Sequence, residues 1–438
     1  MAKSLEKKLC PRSVLLLVCD TSLETASLYF CALRIGVVPI LLDSKVGFAY
    51  LEETMTCYRP QFVWIKRSCH HEKLHSCCKE YLGFKDHLLY ETDYKQYEIY
   101  DDLAIVLTTS GTTGSQKMVR ISYENIVHNT RMVNEILEIS SYDRGITSLP
   151  FHHSLGLLLL HSLWMANGSL VLYEGTVLNP DYLNLIDRYK ATITFLVPYS
   201  VDMLNMTDTE SSSYGSLRCV MVGGEKQSDK LRNRWIEFCN QHKIRSVFGY
   251  GQTEGSGYIS CIDLQNQKSL DHVGIPHSHI EAWLEETNDQ NIGELVIKSD
   301  SVSLGYANDW RDLIKEDENK GILRTGDLAY IDEAGNIFIT GRKKRIVKIL
   351  GERISLDDIE TILRNALPNC NYACIEMNGS LNVICDSNLV SDNEIFKAIE
   401  DASGIHKKMI RIIRIKEFPR LDNGKIDYIS LRSKACHE

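Results

Sequence analysis

Between Leu107 and Val119 the chain reads LTTSGTTGSQKMV, in which two glycines, a cluster of hydroxyls and one lysine follow a short apolar run. Glycine lets backbone N–H groups turn inward, and hydroxyls and a lysine add donors without filling the space, so such a loop can hold an anion such as phosphate. The spacing is not that of G-x-x-x-x-G-K-[ST]: Ser115 and Gln116 separate Gly114 from Lys117. Read alone, the segment is equally a flexible surface connection. Five further glycine-and-polar segments follow in order: PFHHSLG from Pro150, VGGEKQ from Val222, GYGQTEG from Gly249, RTGDLAY from Arg324 with GRKKR from Gly341, and PRLDNGKIDY from Pro419. Each also has a plain reading, as a tight turn, a surface charge pair, a core histidine or a lysine after an Asn-Gly turn.

A different chemistry is written at His71-Glu72-Lys73-Leu74-His75, which satisfies H-E-x-x-H, with Cys69, His70, Cys77 and Cys78 around it and Glu91 downstream. On a helix His71 and His75 share one face, the arrangement of a zinc hydrolase or of a structural zinc site. Against catalysis there, the flanking KRSCHHEKLHSCCKEY lacks an apolar stripe that would bury such a helix.

The elements that must position these residues are those of a soluble globular chain. Its 438 residues are 44% hydrophobic and 24% charged, enough for two or three domains. A net charge of -9 argues against nucleic acid as a partner, although GRKKRIVK is locally basic. Fourteen scattered cysteines fit reduced thiols, and VLLLVC is shorter than a secretory segment, so a cytoplasmic protein is expected. LGLLLLHSLWMANG, broken by His161, is too short to span a bilayer and reads as a buried helix, so no membrane association is expected.

SVLLLVCD, helical LETASLYFCALRIG and VVPILLD give the rhythm of a parallel βαβ unit. The rhythm returns where LAIVLTTS runs into helical SYENIVHNTRMVNEILEIS, SLVLYEG precedes NPDYLNLIDRYK, and LRCVMVGGE precedes SDKLRNRWIEFCNQHK. From about Gly293 the texture changes to short strands, GELVIKSD and GNIFITGR, then RIVKILGERIS leading into helical LDDIETILRNAL. NYACIEMNGSLNVICDS reads as a hairpin turning at Asn378-Gly379, SDNEIFKAIEDAS as a helix and MIRIIRIKEF as a final strand. The expected fold class is α/β, with a large N-terminal domain of layered α/β subdomains at 1–341 and a small C-terminal α+β domain at 342–438, hinged at Gly341 to Lys344.

The ordered set of segments resembles the adenylate-forming superfamily of acyl-CoA synthetases, aryl-acid ligases, luciferases and peptide-synthetase adenylation domains, over roughly Ala104 to Ile426. The resemblance implies an adenylation domain at 1–341 and a mobile lid at 342–438. It implies that Thr108, Thr109, Ser110, Gly111, Thr112, Thr113, Gly114 and Lys117 cradle the β- and γ-phosphates of ATP, although the family's usual Gly-x-Pro-Lys-Gly ending is absent. Tyr250 is then set against adenine, Thr253 on the α-phosphate and Glu254 on Mg²⁺. Gly224 and Glu225 line the adenine and acyl pockets, Asp327 takes the ribose hydroxyls, and Arg342 meets the ribose and phosphates. His153 matches the gate beside the substrate carboxylate, with His152 structural. Tyr199-Ser200, Gly223-Gly224 and Ser256-Gly257 line the acyl pocket. Where peptide-synthetase domains place aspartate after the gate, this chain has Ser154, which favours an acid without an α-ammonium.

The resemblance also makes Lys425 the lysine that bridges substrate carboxylate and α-phosphate, Lys344 the hinge, and Lys348 with Gly351 the loop for the second half-reaction. The expected activity is ATP- and Mg²⁺-dependent ligation of a small carboxylic acid, through acyl-AMP, to the thiol of CoA or of the phosphopantetheine of a separate acyl carrier protein. The family generally has several dozen residues before a run like SVLLLVCD, so a reduced N-terminal layer is expected. A non-catalytic nucleotide binder of the same fold is the other alternative, and the joint presence of Glu254, Asp327, Arg342 and Lys425 weighs against it.

Overall fold

A computed structural model of the chain describes residues 5, 8–69, 74, 78–108, 118–206, 214–224, 229–265, 271–349, 352–368, 370–377, 380–387, 389–403, 405–421 and 425–435. It divides by compactness into one unit of 1–111, 116–281 and 298–323, and a second of 112–115, 282–297 and 324–438.

In the first unit the opening βαβ rhythm is present. Strands β1 (Val14–Cys19) and β2 (Val38–Asp43) pair in parallel around helix α1 (Leu23–Ile35). Ser22 caps α1 by accepting from Thr25 N, and Gly36, at φ 76°, ends it in the left-handed region where a Cβ is unwelcome. Alternate residues of β1 feed opposite faces of the sheet: Leu15 and Leu17 join Tyr29 and Trp64, while Val14, Leu16 and Val18 join Met55 and Tyr90. Both faces are therefore apolar, which is why β1 is hydrophobic throughout rather than alternating. Helix α2 (Phe48–Tyr58) and strands β3 (Phe62–Lys66), β4 (Cys78–Phe84), β5 (His87–Thr92), β6 (Leu103–Thr108) and β7 (Met118–Ser122) complete this part.

One expectation needs correcting. LAIVLTTS does not run directly into a helix: β7 first turns back antiparallel on β6, in register Leu107↔Val119. Helix α3 (Tyr123–Leu137) starts only after it, behind a Ser122–Asn125 capping box. Every residue of β7 is buried, so the strand carries no alternation that could have announced it.

The second sheet is built from β8 (Arg144–Ile146), α4 (Ser154–Met165), β9 (Ser169–Val171), α5 (Pro180–Tyr189), β10 (Ile193–Leu196), α6 (Pro198–Met206), β11 (Cys219–Gly223), α7 (Asp229–His242), β12 (Arg245–Tyr250), β13 (Ser260–Asp263) and β14 (Ile275–Pro276). Its order is β14-β13-β12-β11-β10-β8-β9, parallel from β9 to β12. Helix α4 is the buried apolar helix expected from LGLLLLHSLWM.

After β15 (Glu281–Glu285) and β16 (Gly293–Lys298), the three residues of β17 (Gly305–Ala307) return to the first sheet and pair antiparallel with β7. Among the described residues that sheet has eight strands, ordered β17-β7-β6-β2-β1-β3-β5-β4.

In the second unit β18 (Ile322–Ile331) and β19 (Ile337–Arg342) join β15 and β16 in a four-stranded sheet. RIVKILGERIS, read as one segment, is two antiparallel strands, β20 (Ile346–Ile349) and β21 (Glu352–Ser355), before helix α8 (Leu356–Ala366). β22 (Tyr372–Met377) and β23 (Ser380–Cys385) form the expected hairpin, whose Asn378 and Gly379 lie outside the described residues. Helix α9 (Asp392–Ser403) crosses over to β24 (Ile410–Arg414), parallel to β23, and helix α10 (Tyr428–Ala435) follows. The segment Gly341 to Lys344, where a hinge is expected, lies inside this second compact unit.

Candidate functional site

Strands β11 and β12 are parallel neighbours in register Gly223↔Gly249, so their carboxyl ends finish side by side. The carboxyl ends of the strands are the side on which helix-connected parallel sheets take ligands. Beyond β11, Gly224 has φ 105°, a conformation that resists any side chain. Beyond β12, a Cβ on Gly251 would lie 2.4 Å from the carbonyl oxygen of Gly257, so two backbone passes touch at this point. Between them Thr253–Gly255 forms one 3-10 turn, closed by Ser256 at φ 59°.

This turn is gripped from outside. Asn129 on α3, 1% exposed, donates from Nδ2 to the carbonyls of Gly255 (3.2 Å) and Tyr258 (3.0 Å). Ser303 N donates to Glu254 O at 2.8 Å, and Ser256 Oγ to Ser301 O at 2.7 Å. The Glu254 side chain is fixed as well: Tyr306 Oη donates to its Oε1 at 2.6 Å. Among the described residues Oε2 has no hydrogen-bond partner. A carboxylate oxygen held in one place is the hard donor that Mg²⁺ takes, so this residue fits the metal.

His153 is the N-cap of α4, its Nδ1 accepting from Leu155 N at 3.3 Å. His152 sits beside it with Nε2 3.5 Å from Asp43 Oδ2. The first turn of α4 meets both glycine loops: Leu155 Cδ1 is 3.4 Å from where a Gly223 Cβ would stand, and Ser154 Cβ 3.8 Å from that of Gly257. Gly223-Gly224, Ser256-Gly257 and the start of α4 are thus brought together. Tyr199 and Ser200 lie on α6, with Val197 just before it meeting the Gly224 position. A recess under the start of α4 is lined by Asn129, Ser154, Leu158, His161 and Ser256. Within it His161 Nε2 lies 2.7 Å from Tyr29 Oη, and burial pushes the imidazole down to about 3.

Thr108 ends β6 opposite Met118, so the two ends of the LTTSGTTGSQKMV segment are joined by the β6–β7 ladder. The loop itself, Thr109, Ser110, Gly111, Thr112, Thr113, Gly114 and Lys117, lies outside the described residues, as do Glu225 and Gly351. So do His70 to Lys73 and His75 to Cys77 of the proposed zinc segment; Cys78 lies on β4 and Glu91 on β5.

In the second unit Asp327 and Arg342 face each other across β18 and β19, Arg342 Nε 3.2 Å from Asp327 Oδ1. Asp357, in the first turn of α8, accepts from Arg342 N at 3.0 Å. Lys343 bridges Glu286 (2.7 Å) and Glu294 (2.8 Å), hydrogen bonds that raise its ammonium to about 12. Arg345 pairs with Glu360 (2.5 Å) and Asp357 (2.6 Å) and lies over the Tyr428 ring, 4.5 Å from its centroid. Glu360 also accepts from Cys374 N at 2.7 Å and Tyr428 Oη at 3.0 Å; burial pushes its carboxyl up, against the pull of Arg345. Tyr428 begins α10, three residues after Lys425, whose backbone oxygen accepts from Leu421 N at 2.8 Å. Lys348 lies on β20 opposite Arg353.

Sequence reasoning found the turn at Glu254 but missed Asn129, Tyr306 and the Arg345–Glu360–Tyr428 group. A tyrosine after a glycine in GYAND was the one available trace of Tyr306.

A family model described as AMP-binding enzyme matches residues 1–307. Among curated proteins, probable 4-coumarate–CoA ligase 1 of Dictyostelium discoideum is 31% identical over 302 residues, covering 66% of this chain and 53% of that protein. 2-Succinylbenzoate–CoA ligase of Staphylococcus epidermidis is 25% identical, covering 77% and 71%. This chain spans between about half and three-fifths of the 4-coumarate–CoA ligase-like relatives it matches, from 49% to 62% of their length. Among solved structures, ATP-bound MatB from Rhodopseudomonas palustris superposes with a TM-score of 0.80 at 21% identity, covering 99% of this chain and 91% of that one. O-Succinylbenzoate coenzyme A synthetase from Bacillus subtilis in complex with AMP gives 0.79 at 20%, covering 98% and 90%. The α/β fold is thus one shared along nearly the whole chain. Among the described residues no helix is long and apolar enough to cross a membrane.

Proposed function

The chain belongs to the AMP-binding enzyme family, and from that membership we propose that it is an ATP-dependent ligase that joins a carboxylic acid to AMP and then passes the acyl group to a thiol. The observation that carries the reading is the turn Thr253–Gly255 at the carboxyl ends of β11 and β12, with the Glu254 carboxylate held by Tyr306. Relatives named as CoA ligases support CoA as the thiol; the phosphopantetheine of a separate carrier protein is the alternative acceptor. A cytoplasmic enzyme acting on a small acid, without nucleic acid or membrane as partner, is part of the same reading.

In the first unit Tyr250 would lie against adenine, Gly224 and Glu225 would border it, Thr253 would donate to the α-phosphate, and the loop from Thr108 to Lys117 would hold the outer phosphates. Glu254 would hold Mg²⁺, which when bound neutralises phosphate charge. In the second unit Asp327 would accept from the ribose diol, with Arg342 nearby. Acid carboxylate oxygen attacks the α-phosphorus, the bond to the β-phosphate oxygen breaks, and pyrophosphate leaves. Lys425 stabilises the negative charge gathered as those oxygens approach. In the second step the thiol sulfur attacks the acyl carbon, AMP departs and the thiol proton is lost to solvent; Lys348 and its loop would serve here, after rotation about Lys344. His153, the N-cap of α4, would border the acid's carboxylate. Ser154 in place of an anionic residue favours an acid without an α-ammonium, because an unpaired buried ammonium is costly.

A panel of aryl and acyl acids, scored for acid-dependent pyrophosphate release with and without CoA, tests the reading. Release that requires an acid, and acid consumption completed only with CoA, is the expected result. No acid-dependent release from any of the panel, with ATP bound, would favour the non-catalytic binder.

A further inference from the structure

Glu254 lies in the turn between β12 and β13 of the second sheet, yet the hydroxyl that orients it comes from a strand of the first. Tyr306 lies on β17, opposite Val119 on β7, the strand that begins one residue after Lys117. The position of its backbone is heavily determined. Arg120, 0% exposed, donates from Nε to Tyr306 O (3.2 Å) and from Nη2 to Leu304 O (2.9 Å) and Glu318 Oε2 (2.6 Å). Its Nη1 reaches the carbonyls of Lys315 and Glu316. A guanidinium stripped of water is tolerated only when its donors are used, and here they are used to hold the residues on either side of Gly305. A few residues earlier in the same segment, Ser303 N and Ser301 O bond the turn itself, at Glu254 O and Ser256 Oγ.

We propose that Tyr306 is a positioning residue for the metal: its hydroxyl fixes Oε1 of Glu254 so that Oε2 is presented to Mg²⁺, tying metal binding to the strand that leaves the phosphate loop. The proposal rests on the reading of Glu254 as the Mg²⁺ ligand. Ligating carboxylates depend on such partners, and losing one costs 10- to 100-fold in metal affinity. The ring is 37% exposed, so replacing it by phenylalanine removes the hydroxyl without opening a cavity.

The test is ATP binding to the intact chain by calorimetry, in EDTA and across a Mg²⁺ series, for wild type, Tyr306→Phe, Glu254→Gln and the double variant. The expected result is that Tyr306→Phe binds ATP in EDTA within about 2-fold of wild type but needs roughly 10- to 100-fold more Mg²⁺ for the metal-dependent gain. Glu254→Gln should lose that gain, and the double variant should behave like Glu254→Gln. If Glu254→Gln loses the gain while Tyr306→Phe keeps the wild-type Mg²⁺ midpoint, the positioning role is overturned and the metal reading stands. If Glu254→Gln keeps the gain, the metal reading falls and the proposal with it. Equal weakening of Tyr306→Phe in EDTA and in Mg²⁺ would mark a structural effect on the whole turn and also overturn it.

Discussion

At the scale of single residues, two of the side chains proposed for chemistry are held by a neighbour. Glu254 is held by a phenol and Asp327 by a cross-strand arginine. Glu254→Ala and Asp327→Ala should each lower acid-dependent pyrophosphate release on the order of 10²-fold, as deletion of preorganised polar groups does; wild-type rates in both would defeat the assignment. His161 is the contrary case, a buried base kept neutral. It is bound to Tyr29 inside the apolar α4 and ionises only at about 3, against 6.5 for a free imidazole. Between those values the unfolded chain takes up a proton that the folded chain refuses. The stabilisation is therefore complete above about pH 6.5 and is lost as pH falls toward 3, by at most about 1.4 kcal/mol per pH unit. Urea unfolding at pH 7 and pH 5 should show wild type losing about 2 kcal/mol more than His161→Gln over that interval. Equal losses would mean that the folded protein protonates His161 freely.

At the scale of elements, glycines decide whether the loops can come together. With a Gly251 Cβ only 2.4 Å from the Gly257 carbonyl, Gly251→Ala should force the two passes apart and cost about 1–3 kcal/mol, with ATP affinity falling alongside. Thermal unfolding and ATP titration of that variant would check both, and an unchanged affinity would separate the loop from nucleotide binding. Helices and parallel strands were legible because their signals are local: apolar runs, caps such as Ser22, and the ending glycine at Gly36. The glycine turns at Gly223-Gly224 and at Gly251 to Gly257 were legible for the same reason. β7 was not, since a strand buried on both faces and leading straight into a helix cap shows no period of its own. Nor was Tyr306, whose partner lies 52 residues away and whose strand has three residues. Arg345, Glu360 and Tyr428 escaped similarly, because each belongs to a different element and only packing makes them neighbours.

At the scale of the whole molecule, the two proposed half-reactions should be separable on residues of the second unit. Lys425→Ala should lose about 10² to 10³ in acyl-AMP formation yet still form thioester from supplied acyl-AMP. Substitution at Lys348 should do the reverse, sparing pyrophosphate release and slowing thioester formation. Equal loss of both steps in both variants would mean that one conformation performs all the chemistry. The closing strand of the first sheet carries a consequence for how the chain is made. Arg120 and the carbonyl of Leu304 that it grips are 184 residues apart in the sequence. At ribosomal speeds of about 5–20 residues per second, a nascent chain waits roughly 10 to 40 s after β7 emerges before β17 can cover it. Throughout that interval a finished strand offers its outer edge to any neighbouring polypeptide, and the arginine beside it has none of the acceptors it will finally be buried among. The hold on Glu254 is thus assembled only once the segment that carries Tyr306 has been made and reaches the sheet.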